Sequence, residues 1–273
     1  MPWSRSTCSW VSHAGLVLRG GLSRSPGRLY DIFMTLNDES ATSKIIIAID
    51  GPAGAGKSTV AQKLARILRL KYLDTGAMYR ALTLKALRDH VDLDDEERLA
   101  ELAGRMRLET EFAVRRRPPY RVLMEGEDVT STIRSREVSA HVSRVSSHPG
   151  VRREMVRKQR YMAGGGNIVV EGRDVGTVVF PKADLKFFIT ASIKERARRR
   201  YQEMKKDGYD VSFKSIQQEM VRRDHQDSTR EINPLRKAPD AVLIDTTGET
   251  VSQVVKELLK LVRGRPAGAG EAL

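Results

Sequence analysis

The sequence predicts an α/β fold: a parallel sheet covered on both faces by helices, with an inserted section part-way along. Three observations lead there. The run IIIAIDGPAGAGKST, from Ile45 to Thr59, passes from a β-branched apolar stretch through a glycine-rich turn into a helical pattern. Strand-like runs then recur at NIVVEGRD, LKFFIT and AVLIDTT among helical stretches, and such alternation implies a parallel sheet buried on both sides. Between the two sets, residues 97–166 break the rhythm with a hairpin-like pattern and two helices.

The first element carries the strongest chemistry. Gly51 and Gly56 satisfy G-x-x-x-x-G-K-[ST], a phosphate-binding P-loop, with strand before and helix after. Gly51, Gly54 and Gly56, interleaved with Pro52, Ala53 and Ala55, let successive N–H groups converge on phosphate oxygens. The helix starting near Lys57 adds its positive end, Lys57 a point charge for the β- and γ-phosphates, and Ser58 a hydroxyl for Mg²⁺. Thr59 supports the loop, and Val60, Leu64 and Leu68 form the stripe of a helix lying on a sheet.

KYLDTGAMYRAL then reads as a short strand, a polar turn at Asp74-Thr75-Gly76 and a helix onset. Asp94 to Arg105 is helical in pattern. Leu108, Thr110, Phe112 and Val114 alternate, Pro118-Pro119 interrupts, and YRVLMEGEDV resumes, as in a small antiparallel sheet. Helices over Glu137–Ser147 and Val151–Met162 follow, separated by Pro149-Gly150, and Gly164 to Gly166 closes the section. The later helices run from Ile193 to Lys206, Ser212 to Arg230 and Thr250 to Val262. Ligands of parallel sheets gather at the strands' carboxyl ends, so Asp50, Asp74 and the Glu171 to Asp174 segment should converge.

Composition narrows the partners. A net charge of +13 and a pI near 10.0 favour polyanions without choosing between nucleic acid and nucleotides. The single cysteine, Cys8, excludes an internal disulfide and a multi-cysteine zinc site, and the five histidines lack metal-site spacing. No apolar run reaches the roughly 20 residues of a membrane helix. The first 33 residues contribute +3 of the charge, hold Cys8, Trp3 and Trp10, and read either as an Arg- and Ser-rich targeting leader or, preferably, as an extended start ahead of Met34.

A P-loop does not by itself choose a reaction. No N/T-K-x-D guanine motif and no D-E strand end are present, whereas Arg80, Arg173, Arg196, Arg198, Arg199, Arg200, Arg223 and Arg230 fall at positions facing the expected cleft. Two phosphorylated reactants crowd negative charge, and guanidinium groups grip phosphate in a bidentate, always-charged way. Arg223, Asp227 and Arg230 are spaced to share one helix face.

Together DGPAGAGKST, LDTGAMYR, EGEDVTSTIRSREVS, HPGVRREMVRKQR, VVEGRDVGTVVFP, RARRRY and RRDHQDSTREINPLRKAPDA resemble the bacterial cytidylate kinase family from about Ile45 to Val262. The resemblance implies a three-layer P-loop kinase core over 44–96 and 167–262, a nucleoside-monophosphate-binding insertion over 97–166 and a helical lid about 196–210. Residues 1–43 and 263–273 would be flexible extensions. It further implies a cytoplasmic, usually monomeric enzyme that transfers the γ-phosphoryl of ATP to CMP or dCMP with Mg²⁺, without nucleic-acid or membrane partners.

Residue by residue, the resemblance implies that Ser143, Arg152 and Asp174 read the cytosine ring and that Arg223 and Asp227 face the sugar. Thr75, Tyr79, Arg80, Arg173 and Arg230 would surround the acceptor phosphate, with Lys57, Arg80, Arg173, Arg196 and Arg230 catalytic. Gly51 to Thr59 and Arg199 would bind ATP, and Ser58 the magnesium. A carboxylate and a guanidinium complement the donor and acceptor edge of cytosine. Two departures stand out: Thr75 where relatives also carry serine, and Glu171 where aspartate is equally expected. Another small P-loop kinase and a nucleic-acid-binding ATPase are the rival readings; an aromatic content of 5% argues against stacking platforms for single strands.

Overall fold

In the computed structural model, which describes residues 44–113 and 119–264, the chain runs β1 (Ile46–Asp50), α1 (Lys57–Leu68), β2 (Lys71–Asp74), α2 (Thr75–Arg88) and α3 (Glu96–Arg105). Next come β3 (Leu108–Phe112), β4 (Tyr120–Met124), β5 (Glu127–Asp128), α4 (Arg136–Val145) and α5 (Pro149–Ala163). The remainder is β6 (Ile168–Glu171), β7 (Leu185–Thr190), α6 (Ile193–Lys206), α7 (Phe213–Thr229), β8 (Val242–Asp245) and α8 (Val251–Arg263). The expectations for residues 1–43, for Val114 and Pro118 and for the tail beyond residue 264 lie outside the described residues.

Five parallel strands form the main sheet in the order β2-β6-β1-β7-β8. β6 is buried at every residue, and β1 at all but its first, because helices cover both faces. β8 departs from the expectation of a third buried strand. It lies at the sheet edge, where the helical cover ends, and leaves Val242 and Leu243 exposed.

The inserted section builds its own antiparallel sheet, β3-β4-β5, with Leu108 opposite Met124 and Phe112 opposite Tyr120. α3 packs along α5 beside it. An aromatic seam joins this sheet to the edge of the main one: the Tyr72 ring of β2 lies 4.9 Å from Tyr120 and 5.4 Å from Phe112. α6 and α7 pack on each other around a separate small core of Ala197, Ile216 and Met220, flanked by Tyr201 and Phe213.

Helix boundaries follow capping chemistry. The side chains of Asp74, Asp95, Ser135, Ser212 and Thr250 each accept from a first-turn N–H, so the helices begin one residue after them. Hence no separate turn stands at Asp74-Thr75-Gly76; strand β2 passes directly into α2. Pro149-Gly150 likewise opens α5 instead of dividing two helices, since proline lacks only an N–H that the first turn leaves unpaired. The sequence pattern did not reveal a π turn over Val175–Val179 or a 3-10 turn over Thr132–Arg134.

Candidate active site

The P-loop sits at the carboxyl end of the central strand. Gly56 takes φ 88°, a left-handed conformation that glycine adopts without strain, and α1 starts at Lys57 with no side-chain cap on its first-turn N–H groups. Those amides therefore remain available to an anion. Gly51, Pro52 and Ala55 are buried, Ala53 and Ser58 half-buried, and Gly54 and Thr59 exposed. Lys57 folds back over its own loop, donating from Nζ to the Pro52 carbonyl at 2.8 Å. Burial, and then repulsion from Arg173, pull its ammonium down to about 7.

The expected carboxylates converge, and sheet register is the reason. Asp74 pairs with Glu171 across β2 and β6, Ile49 pairs with the same Glu171 across β1, and Asp50 is the next residue along. Asp74 and Glu171 therefore lie side by side, and Asp50, one residue further along β1, ends its strand at the same edge but turns to the opposite face; all three are less than a tenth exposed. Burial and the neighbouring Asp74 push the Glu171 carboxyl up, although Lys57, Tyr72 and Ser58 oppose that rise. The Tyr72 hydroxyl donates to Glu171, and the Thr75 hydroxyl donates to the Glu171 carbonyl at 2.8 Å. Gly172 permits this approach, since a Cβ there would stand 2.4 Å from the Thr75 hydroxyl. Asp50 accepts from the N–H groups of Val175 at 2.8 Å and Gly176 at 2.7 Å, but burial dominates and raises its pKa to about 6.

Beyond these acids lies the guanidinium cluster. Arg173 donates to Asp227 at 3.0 Å, Arg230 approaches Asp174 at 3.5 Å, and Arg152, 2% exposed, is bonded to Asp174. The Arg152 guanidinium also lies 5.4 Å from the centre of the Tyr79 ring. Burial pushes the Tyr79 hydroxyl up to about 12, so it stays protonated. Arg80, one residue further along α2, donates to Ser139 at 2.8 Å and to the Ile133 carbonyl at 3.4 Å. Burial, then repulsion by Arg223 and other cations, lowers the Arg80 pKa. Arg223 is depressed by burial and by Arg173. Asp227 is lowered despite its burial, because Arg173 and Arg223 outweigh the loss of water. Such crowding of cations is costly unless an anion offsets it.

Other expected residues divide. Arg196 is buried at the lip of the P-loop, donating to Ala53 O at 3.2 Å and Ala191 O at 2.9 Å and pairing with Asp224 at 2.6 Å. Arg199 reaches the far side of the loop through Thr246, with bonds of 3.0 and 2.6 Å, and Ala55 O at 3.4 Å. Ser143 is half-buried on α4, one turn beyond the Ser139 that Arg80 touches. Arg230 caps α7 from outside, so the three-residue face of Arg223, Asp227 and Arg230 ends one residue past the helix. Arg198 departs from the expected cleft position: it is half-exposed and held by Glu195 and Gln202 along α6. The i, i+3 and i, i+4 spacing of those partners explains the outward face.

Sequence reading missed Arg134, which stands 3.7 Å from Asp74 and adds to the repulsion on Arg80. It also missed Arg160, whose guanidinium binds two carbonyls of the turn after Asp174. An arginine in a short loop or on an exposed helix face carries no local signature of such partners.

Known proteins resemble this chain over most of its length. The sequence pattern described as cytidylate kinase matches residues 47–264. A cytidylate kinase of Desulforamulus reducens is 52% identical over 216 residues, covering 79% of this chain and 96% of that protein. One from Caldanaerobacter subterraneus subsp. tengcongensis is 49% identical over 222 residues, covering 81% and 96%. A third, from Bacillus subtilis, is 48% identical over 219 residues, covering 80% and 96%. Identity near one half over about four-fifths of the chain goes beyond a shared fold: the chain belongs to the cytidylate kinase family.

Proposed function

We propose that this protein transfers the γ-phosphoryl group of ATP to CMP and dCMP, producing CDP or dCDP and ADP. The observation that carries the reading is the adjacency of two anion-binding halves. Uncapped amides and Lys57 occupy one side, and Arg80, Arg173, Arg223 and Arg230 the other, with the buried Arg152–Asp174 pair beyond them.

On this reading Gly51 to Thr59 cradle the ATP phosphates, and Arg196 and Arg199 steady the loop and its nucleotide. Thr75, Tyr79, Arg80, Arg173 and Arg230 hold the acceptor phosphate, Arg223 and Asp227 face the sugar, and Ser143, Arg152 and Asp174 read the base. The transfer is direct and in line. An oxygen of the CMP phosphate forms a bond to the γ-phosphorus while the bond to the β,γ-bridging oxygen breaks, and that electron pair leaves with ADP. A monoester phosphate is largely dianionic at neutral pH, so this nucleophile needs no general base. What the protein supplies is position and positive charge.

Magnesium suits the donor side. Among the described residues no set of three or more His, Cys, Asp or Glu is arranged to hold a metal alone. Mg²⁺ instead favours a few hard oxygen ligands together with substrate phosphates, and Ser58, beside Glu171, provides that chemistry. Held there by the Ser58 hydroxyl, the ion would supply positive charge against the transferring phosphates. Residues 97–166 act as the monophosphate-binding insertion and 196–210 as a lid, consistent with their separate sheet and separate small core. On the same reading the protein acts in the cytoplasm as a monomer, without nucleic-acid or membrane partners. No described helix is long and apolar enough to cross a membrane.

The test is a panel of nucleoside monophosphates with Mg-ATP. CMP and dCMP should be phosphorylated most efficiently. ATP hydrolysis stimulated by RNA or DNA and indifferent to CMP would overturn the assignment.

A further inference from the structure

The π turn over Val175–Val179 directly follows Arg173 and Asp174, the two residues through which the β6 end meets Asp227 and Arg152. Its opposite ends are held by two side chains from different parts of the chain. At its start, the carboxylate of Asp50 accepts from Val175 N at 2.8 Å and Gly176 N at 2.7 Å. At its end, the Arg160 guanidinium donates from Nε to Val179 O at 2.9 Å and from Nη2 to Val178 O at 2.9 Å. Asp50 is the last residue of β1, immediately before the P-loop. Arg160 lies on α5, about two turns beyond Arg152. Wide turns of this kind are rare and frequent at functional sites, and here outside side chains bond both ends of the turn.

We propose that Arg160 and Asp50 are positioning residues for the acceptor nucleotide, clamping this turn so that Asp174 meets Arg152 and Arg173 meets Asp227. The proposal rests on the reading of Arg152 and Asp174 as the base-recognising pair. Arg160 itself is exposed and touches no residue assigned to substrate, so it reaches the site only through the turn.

Arg160→Met keeps the apolar stem and removes the donors; Arg160→Lys keeps the charge but cannot span both carbonyls in one plane. In steady-state assays Arg160→Met should raise the KM for CMP about tenfold, the order expected of a sub-ångström misplacement. The KM for ATP should stay within about twofold, and the preference for CMP over UMP should fall, while Arg160→Lys lies between Arg160→Met and wild type. An unchanged KM for CMP, or KM for both substrates and thermal stability shifting together, would overturn the clamp. Wild-type turnover with CMP and UMP in the same assay tests the reading of the site separately. If the wild type prefers a different acceptor, that reading fails, and an Arg160→Met change in KM confined to the preferred acceptor still upholds the clamp.

Discussion

Arg152 and Asp174, 22 residues apart, form an ion pair almost wholly removed from solvent, with side chains 2% and 8% exposed. The pair joins α5 of the inserted section to the end of β6 in the main sheet. Arg152 also donates to the Ser146 carbonyl at 3.1 Å, so its guanidinium is held from the insertion side as well.

Asp174→Ala therefore does two things. It removes the carboxylate proposed to read the cytosine amino group, and it leaves Arg152 buried without its charge partner. Stability should fall by about 3–5 kcal/mol, as when one member of a buried pair is deleted. At temperatures where the variant stays folded, kcat/KM for CMP should drop more than that for UMP. Equal losses for the two acceptors would count against base recognition.

Lys57→Met separates catalysis from stability. The ammonium is buried and its pKa depressed, so the charged form gains little for the fold. Phosphoryl transfer should fall by about 10³-fold or more, the scale for removing a charge aimed at the reacting group. The urea midpoint should hold or rise; a large decrease would show that Lys57 serves the fold.

Asp50 predicts a pH-dependent stability difference. Its folded pKa is about 6 against an ordinary 3.8, so the native protein holds the Asp50 proton more tightly than the unfolded chain. This contribution is complete below pH 4 and is lost as the pH rises through 6, a change on the order of 3 kcal/mol. Asp50→Asn cannot titrate. The stability of wild type minus that of Asp50→Asn, from urea titrations between pH 4 and 7, should decline as the pH rises. A flat difference would show that Asp50 stays ionised throughout, held by its two amide bonds.

The aromatic seam predicts a graded pair of variants. Tyr120→Phe keeps the ring contacts with Tyr72 and loses the hydroxyl's bonds, the one from Asp74 N at 3.3 Å and the one with Thr110, so it should cost about 1 kcal/mol. Tyr120→Ala empties the seam and should cost about 3–5 kcal/mol. Comparable losses in chemical denaturation would place the seam's strength in the hydroxyl instead of the rings.

The local features of this protein are written in adjacent residues. The loop from Gly51 to Thr59, the alternation from Leu108 to Phe112 and the capping residues Ser212 and Thr250 declare turn, strand and helix start because their causes act over a few positions. The arginines of the cleft could be named from sequence, but their partners could not. Arg198 and Arg199 are neighbours, yet one lies along an exposed helix face and the other reaches Thr246, 47 residues away.

By itself, then, the sequence determined the P-loop, the succession of strands and helices, and the membership that its motifs suggested. Only the tertiary structure decided that Asp74 and Glu171 share a register, that Arg152 finds Asp174, and that Arg160 grips the turn beside it. The physical reason is range. Backbone propensity and capping are settled within one or two turns, whereas burial, charge pairing and the pKa shifts they cause depend on residues that only packing of the sheet and the inserted section brings together.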